Sequence, residues 1–233
     1  MALSHSPKIT LDGLVLCLDA GNTKSYPGSG TTWTDLSGRG NNGTLNGATY
    51  SGSNGGNISF DGTDDYIENS SPNLGITGDA SITMSCWFYD QKTSTSTFQA
   101  LFGYGNGPSV GDTFAIGLQN LNVNMQFNGG NSTNSSNNVY SLNTWNNVVV
   151  TKTPGAANTT TKLYLNGVEL SISSSTTITP NVSSRVIRVG RWTNDGSPSY
   201  FQGRVSNCLI YNRALTAAEI SQNFNALRGR FGI

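Results

Sequence analysis

The sequence is poor in charge, histidine, glutamate and long apolar runs, and each shortage removes a class of function. Charged residues fill 11% of the 233 positions, against about 25% in an average soluble domain. Thirteen Lys and Arg balance thirteen Asp and Glu. The basic residues form no run that could follow a phosphate backbone, so nucleic acid is not an expected partner. The only histidine, His5, precedes the first apolar segment, which removes Ser-His-Asp and Cys-His relays. There are three glutamates, Glu68, Glu169 and Glu219, and no Glu-x-Asp-x-x-Glu spacing that would line carboxylates along one strand face. P-loop and dinucleotide fingerprints are absent, so the many glycines are read as turn formers. Together these shortages lead to the expectation that the chain is not an enzyme. No apolar run approaches the roughly 20 residues needed to span a bilayer, and residues 1–9 lack the apolar core of a secretory signal. Membrane insertion is therefore not expected, and neither is export by a leader of its own. The three cysteines, Cys17, Cys86 and Cys208, are odd in number and lack C-x-x-C spacing. They read as buried reduced thiols, with a Cys17–Cys208 disulfide as the alternative in an oxidising compartment.

What is present is the pattern of a sheet protein. The 28 glycines and the Ser/Thr/Asn-rich stretches separate short apolar segments rich in β-branched and aromatic residues. Segments 14–18, 58–60, 66–67, 101–103, 113–118, 123–127, 145–152, 162–165, 168–170, 185–190 and 203–211 all read as strands, with 129–138 as a loop. Segment 82–89 alternates, placing Ile82, Met84, Cys86 and Phe88 on one face and Thr83, Ser85, Trp87 and Tyr89 on the other. Asn166-Gly167 carries the signal of a type I′ hairpin. One helix is expected near the C-terminus, where Thr216-Ala-Ala-Glu219 forms a capping box ahead of Ile220, Phe224 and Leu227 at helical spacing. About a dozen short strands without a 20- to 50-residue repeat fit two stacked antiparallel sheets.

Five stretches resemble a known family in its own order. They are GLVL at 13–16 with WTDLSGRGNNGTLNGA at 33–48, FDGTDDYI at 60–67, SLNTWNNV at 141–148, KLYLNGV at 162–168 and GRVSNCLIYNRALTAAEI at 203–220. These are similar to the hallmarks of laminin-G-like jelly rolls in the concanavalin A-like superfamily. The resemblance implies an all-β, two-sheet antiparallel jelly-roll sandwich with one short C-terminal helix. Its expected extent is residues 11–227, flanked by an N-terminal tail (1–10) and a C-terminal tail (228–233). A narrower resemblance, LDAGNTKSYPGSGTTW at 18–33, is to the version of the domain found in structural proteins of tailed phages. It implies a virion-surface protein assembled in the host bacterial cytoplasm, most readily a capsid decoration protein. The expected partners are other virion proteins and copies of itself, as a homo-oligomer such as a trimer. Either terminal tail is a candidate docking segment.

Two clusters carry candidate binding chemistry. Asp61, Asp64 and Asp65 share one turn and offer the hard oxygen ligands that Ca²⁺ prefers. Laminin-G-type domains often bind calcium, which the resemblance adds to this reading. A solvated turn capped by Asp side chains explains the same residues. For sugar binding, the alternative to surface coverage, jelly-roll lectins use loop aromatics beside Asn and Asp. Trp33, Tyr104, Trp192 and Tyr200 lie in or next to expected loops, with Asn194 and Asp195 close to the last two. Trp192, Asn194, Asp195 and Tyr200 form the candidate glycan site, whereas Trp87 and Trp145 read as packing residues. A cell-surface glycan is the partner that this second reading implies, with a glycoside hydrolase of the same superfamily as the remote third.

Overall fold

The computed structural model describes residues 7–105, 109–128, 130–183, 186–192 and 199–233. In chain order the strands begin with β1 (Leu14–Asp19), β2 (Thr32–Trp33), β3 (Gly43–Asn46), β4 (Thr49–Ser51), β5 (Asn57–Asp61) and β6 (Tyr66–Asn69). Then come β7 (Ile82–Asp90), β8 (Gln99–Gly105), β9 (Thr113–Gln119), β10 (Asn122–Gln126), β11 (Ser132–Ser135) and β12 (Trp145–Lys152). After a single helical turn at Ala157–Thr160 follow β13 (Thr161–Leu165), β14 (Val168–Glu169), β15 (Ile172–Ser175), β16 (Ile187–Val189), β17 (Arg191–Trp192), β18 (Ser199–Tyr200) and β19 (Gln202–Tyr211). A helix, Ala217–Leu227, and a 3-10 turn, Arg228–Phe231, close the chain.

These strands form the expected two-sheet antiparallel sandwich. One sheet runs β14-β13-β12-β7-β19-β5-β4, with β1 also on β19, and the other runs β15-β11-β10-β9-β8-β16-β6-β3-β2. Strand β19 is the hub of the first sheet. Its first half pairs with β5 (Gln202↔Asp61 to Val205↔Ile58) and its second half with β1 (Asp19↔Asn207 to Leu14↔Tyr211). The register shifts between Val205 and Asn207, and the Ser206 hydroxyl there donates to the Gly56 carbonyl at 2.6 Å.

Alternation explains the packing. Ile82, Met84, Cys86 and Phe88 face the core between the sheets with Val148, Val150, Leu163, Cys208 and Ile210. The opposite face of the same strands is apolar as well: Cys17, Val149, Tyr164, Leu209 and Tyr211 lie in a second layer with Leu215 and Ile220. A sheet covered on both sides loses the plain apolar/polar alternation, which is why Val148, Val149 and Val150 stand in a row in β12 and every residue of that strand is buried. The C-terminal helix begins at the expected capping box, Thr216 with Glu219. The Asn166-Gly167 turn has φ of 50° and 81°, the left-handed pair that a type I′ turn requires.

Three expectations are revised, and of the two cysteine readings the buried free thiols hold while the disulfide alternative falls away. Strand β11 lies inside the expected loop 129–138 and pairs with β10 and β15; its Ser and Asn side chains hid a strand held by ladder bonds. Cys208 faces Cys86 across β19 and β7, with sulfurs 3.8 Å apart. Cys17 lies in the outer layer, so a Cys17–Cys208 disulfide would have to pass through the sheet, and all three cysteines are free. The segment from residue 228 onward is not a loose tail: Phe231 stacks on Trp87 at 4.1 Å and Arg230 makes two hydrogen bonds to Asp19 at 2.6 and 3.0 Å. Before residue 11, Thr10 N–H donates to Asn223 Oδ1 at 2.7 Å, so the packed body begins earlier than the expected boundary.

Candidate functional site

The acidic turn connects β5 to β6. Gly62, at φ 85°, reverses the chain, and Asp61 Oδ1 accepts the backbone N–H of Thr63 at 2.7 Å and of Asp64 at 3.4 Å. These N–H donors stabilise the charged form and hold the Asp61 carboxyl below its usual range. Asp65 Oδ2 accepts from the Asp61 N–H at 2.9 Å, and its other oxygen presses on Gly47, where a Cβ would approach to 2.1 Å. Burial, with the charges of Asp61 and Asp64 beside it, raises the Asp65 pKa. One carboxylate oxygen from each of the three residues lies within 4.8 Å of the others. The donor set suits a hard cation, whose charge would relieve the repulsion that raises Asp65. Two of the three side chains already cap the turn.

The second cluster lies beside the first. Because Asp61 pairs with Gln202, the start of β19 runs next to the acidic turn. Just before it, β17 and β18 form a small hairpin that pairs Arg191 with Tyr200 and Trp192 with Ser199. The Ser199 hydroxyl donates to the Phe98 carbonyl at 2.6 Å and anchors the hairpin. Trp192 meets the Phe98 ring edge-on at 6.2 Å. Phe98 in turn covers Gly117, where a Cβ would come within 2.3 Å of the ring. The Arg191 guanidinium carbon lies 4.7 Å from the Tyr66 ring centroid and 5.7 Å from that of Tyr200. Tyr66, Arg191, Trp192 and Tyr200 are all half-buried. The structure thus brings the candidate metal residues and two of the candidate sugar residues, Trp192 and Tyr200, to one edge. Asn194 and Asp195 lie outside the described residues.

Three members of this edge, Tyr66, Phe98 and Arg191, escape a sequence reading. The available signal was adjacency: Tyr66 follows the acidic turn directly and Arg191 precedes Trp192. Trp33 and Tyr104, expected near loops, are fully buried. Tyr104 spends its hydroxyl on the Ile76 carbonyl at 2.6 Å, so neither residue can meet a ligand. Trp87 and Trp145 are packing residues beneath Phe231, at centroid distances of 4.1 and 4.8 Å.

The carboxylates have structural employment nearly everywhere. Glu68 pairs with Arg188 at 2.7 Å and Glu169 with Lys162 at 3.1 Å. Arg213 joins Glu219 and Asp12, Arg230 joins Asp19, and Lys152 joins Asp79. Asp35 accepts the N–H groups of Cys17, Ser37 and Asn41, Asp90 takes the Tyr140 hydroxyl, and Asp112 takes the Ser109 N–H. Asp64 is the one described carboxylate whose oxygens accept no bond and join no ion pair.

Comparison with known proteins agrees with this architecture. A family described as "Concanavalin A-like lectin/glucanases superfamily", of laminin-G type, matches residues 61–221. No curated protein matches the sequence. Among solved structures, Trypanosoma rangeli sialidase in complex with sialic acid superposes with a TM-score of 0.71 at 16% identity, over 97% of this chain and 36% of the sialidase. A botulinum neurotoxin type C structure, described as entering cells through interaction with two ganglioside molecules, gives 0.67 at 17% identity, over 93% of this chain and 52% of the toxin chain. The binding domain of botulinum neurotoxin serotype D gives 0.67 at 15% identity, over 92% and 52%. The chain thus spans between a third and about half of these structures, and at such identities the likeness is one of fold. By its sandwich and by the family match across most of its length, the chain belongs to the concanavalin A-like lectin/glucanases superfamily, as a laminin-G-type domain.

Proposed function

We propose that this chain is a non-enzymatic module that binds a saccharide at the edge built by the Asp61–Asp65 turn, Tyr66, Phe98, Arg191, Trp192 and Tyr200. The observation that carries this reading is the gathering of half-buried aromatic rings and an arginine beside the acidic turn. The other three tryptophans are buried. Flat apolar rings bearing polar tips suit the C–H faces and hydroxyls of a sugar. The similar folds whose descriptions name sialic acid and gangliosides support the same direction. The non-catalytic part rests on the carboxylates: two-carboxylate glycoside hydrolysis needs a free pair about 5 to 10 Å apart, and Asp64 has no uncommitted partner among the described residues. Ca²⁺ held by Asp61, Asp64 and Asp65 would stiffen the turn that leads into Tyr66.

The setting we propose is the surface of a tailed-phage particle, with the chain as a capsid decoration protein assembled as a trimer and docked on other virion proteins. This rests on the resemblance of residues 18–33. A glycan array followed by calorimetry with and without Ca²⁺ tests the binding reading, with binding expected to fall at least tenfold in Trp192→Ala. Wild-type protein that binds no glycan but is found by labelled antibody on intact particles would leave coat protein as the function. Release of reducing sugar from any bound glycan would overturn the non-catalytic assignment.

A further inference from the structure

Arg191, like Arg204, is a half-buried arginine that forms no ion pair among the described residues and lies over an aromatic ring; what sets it apart is a buried Nε with no hydrogen-bond partner. Arg188, Arg213 and Arg230 each face a carboxylate, and so does buried Lys152. Arg191 has none among the described residues, although the Asp61–Asp65 turn runs directly into the tyrosine beneath it. Its guanidinium carbon lies over both Tyr66 and Tyr200, at 4.7 and 5.7 Å from the ring centroids. The N–H donors of a guanidinium lie in its plane as a rigid fork, and with Nε enclosed the two terminal Nη groups are the ones left to meet a ligand. The natural complement of such a fork is a planar oxyanion taken up through two parallel hydrogen bonds.

We infer that the saccharide is acidic: the edge of Arg191 receives the carboxylate of a sugar acid whose ring lies against the neighbouring aromatic side chains. This inference rests on the binding edge proposed above and names its ligand class. The adjoining acidic turn sharpens the choice. Three carboxylates close to the site disfavour a densely charged chain, so an isolated carboxylate is preferred over a heavily sulfated polymer.

The test is calorimetry on the full chain with five probes: a galacturonic acid trimer, sialyllactose, their neutral counterparts (galactose trimer and lactose) and a sulfated heparin oligosaccharide. At least one carboxylated sugar is expected to bind tenfold or more tightly than its neutral counterpart, and more tightly than the sulfated oligosaccharide. Arg191→Gln should erase that preference. Arg191→Lys, which keeps the charge but loses the fork, should lose most of it, with both variants melting as cooperatively as wild type. Neutral sugars bound equally well, with affinity lost in Trp192→Ala, would overturn the acidic ligand and leave the binding edge standing. Stronger binding of the sulfated probe, or a preference that survives in Arg191→Gln, would also overturn it. Failure of every probe would remove both readings.

Discussion

At the scale of single residues, the pair that closes the helix start is the clearest source of pH-dependent stability. Glu219 accepts the N–H of Thr216 at 2.9 Å and pairs with Arg213 through contacts of 2.6 and 3.0 Å. The Arg213 hydrogen bonds, followed by that from Thr216, lower its pKa from 4.5 to about 2. A carboxyl depressed in the folded state contributes stability that is fully present above pH 4.5 and is lost as pH falls toward 2. Glu219→Gln keeps the capping geometry and loses the ion pair. It should cost up to about 1 kcal/mol at pH 7, and its melting temperature should fall less than that of wild type between pH 4.5 and 2. Parallel pH–melting curves would refute this account. The cysteines make the opposite prediction, one of inertness. Burial, aided by the charges of Asp19 and Asp35, pushes Cys17 up to about 12, and burial beside Cys86 pushes Cys208 well up. A thiolate is the reactive form, so a disulfide-exchange reagent at pH 8 should leave the native protein untouched and titrate three thiols after unfolding in denaturant. Rapid modification of the native protein would contradict the packing described here.

Among elements, the C-terminal turn matters most, because it closes an aromatic layer that no strand covers. Phe231 is 7% exposed and its ring contacts both Trp87 and Trp145, with Phe224 stacked on Trp87 from the helix at 5.6 Å. Phe231→Ala should destabilise by about 3 kcal/mol, as large-to-small changes of buried aromatics do, and shift tryptophan emission to the red. Unchanged emission and melting would mean that the turn is dispensable. This element also marks the limit of what was legible in the sequence. Strands with one clean apolar face, such as β7, and elements punctuated by local chemistry, such as the 166–167 turn and the Thr216 capping box, are written in short windows. Phe231 is not, because its burial depends on Trp87, far away in the chain. The same holds for the candidate site. The acidic turn is local and was visible, whereas Tyr66, Phe98 and Arg191 meet only through the pairing of β6 with β16, of β16 with β8, and of β17 with β18. Strand β11 was missed for a related reason: its polar side chains carry no periodic apolar signal, and its place depends on β10 and β15.

At the scale of the molecule, the sandwich is closed by contacts between the two ends of the chain. Strand β1 lies along the second half of β19, with Cys17 opposite Leu209, so the first strand to be made completes its pairing only with the last. Topologies dominated by such distant pairings fold slowly, because loop closure must precede the contacts that reward it. The family match begins at residue 61, after β1 to β4 and nearly all of β5. The structure shows what the preceding residues contribute. Leu16, Leu18, Trp33, Ile58 and Phe60 are core residues, and β1 and β5 together cover one whole edge of β19. A fragment limited to residues 61–221 would leave that edge unpaired and expose the apolar residues beneath it. Unpaired edges of this kind template aggregation. The fragment is therefore expected to be insoluble or to melt without cooperativity, whereas residues 7–233 should melt in a single transition. Adding a 7–60 peptide in trans should recover part of the soluble fragment, since it restores β1 and nearly all of β5, the two strands that cover the β19 edge. A 61–221 fragment that melted cooperatively on its own would show that the first sixty residues are an accessory layer, and the hub role of β19 would have to be abandoned.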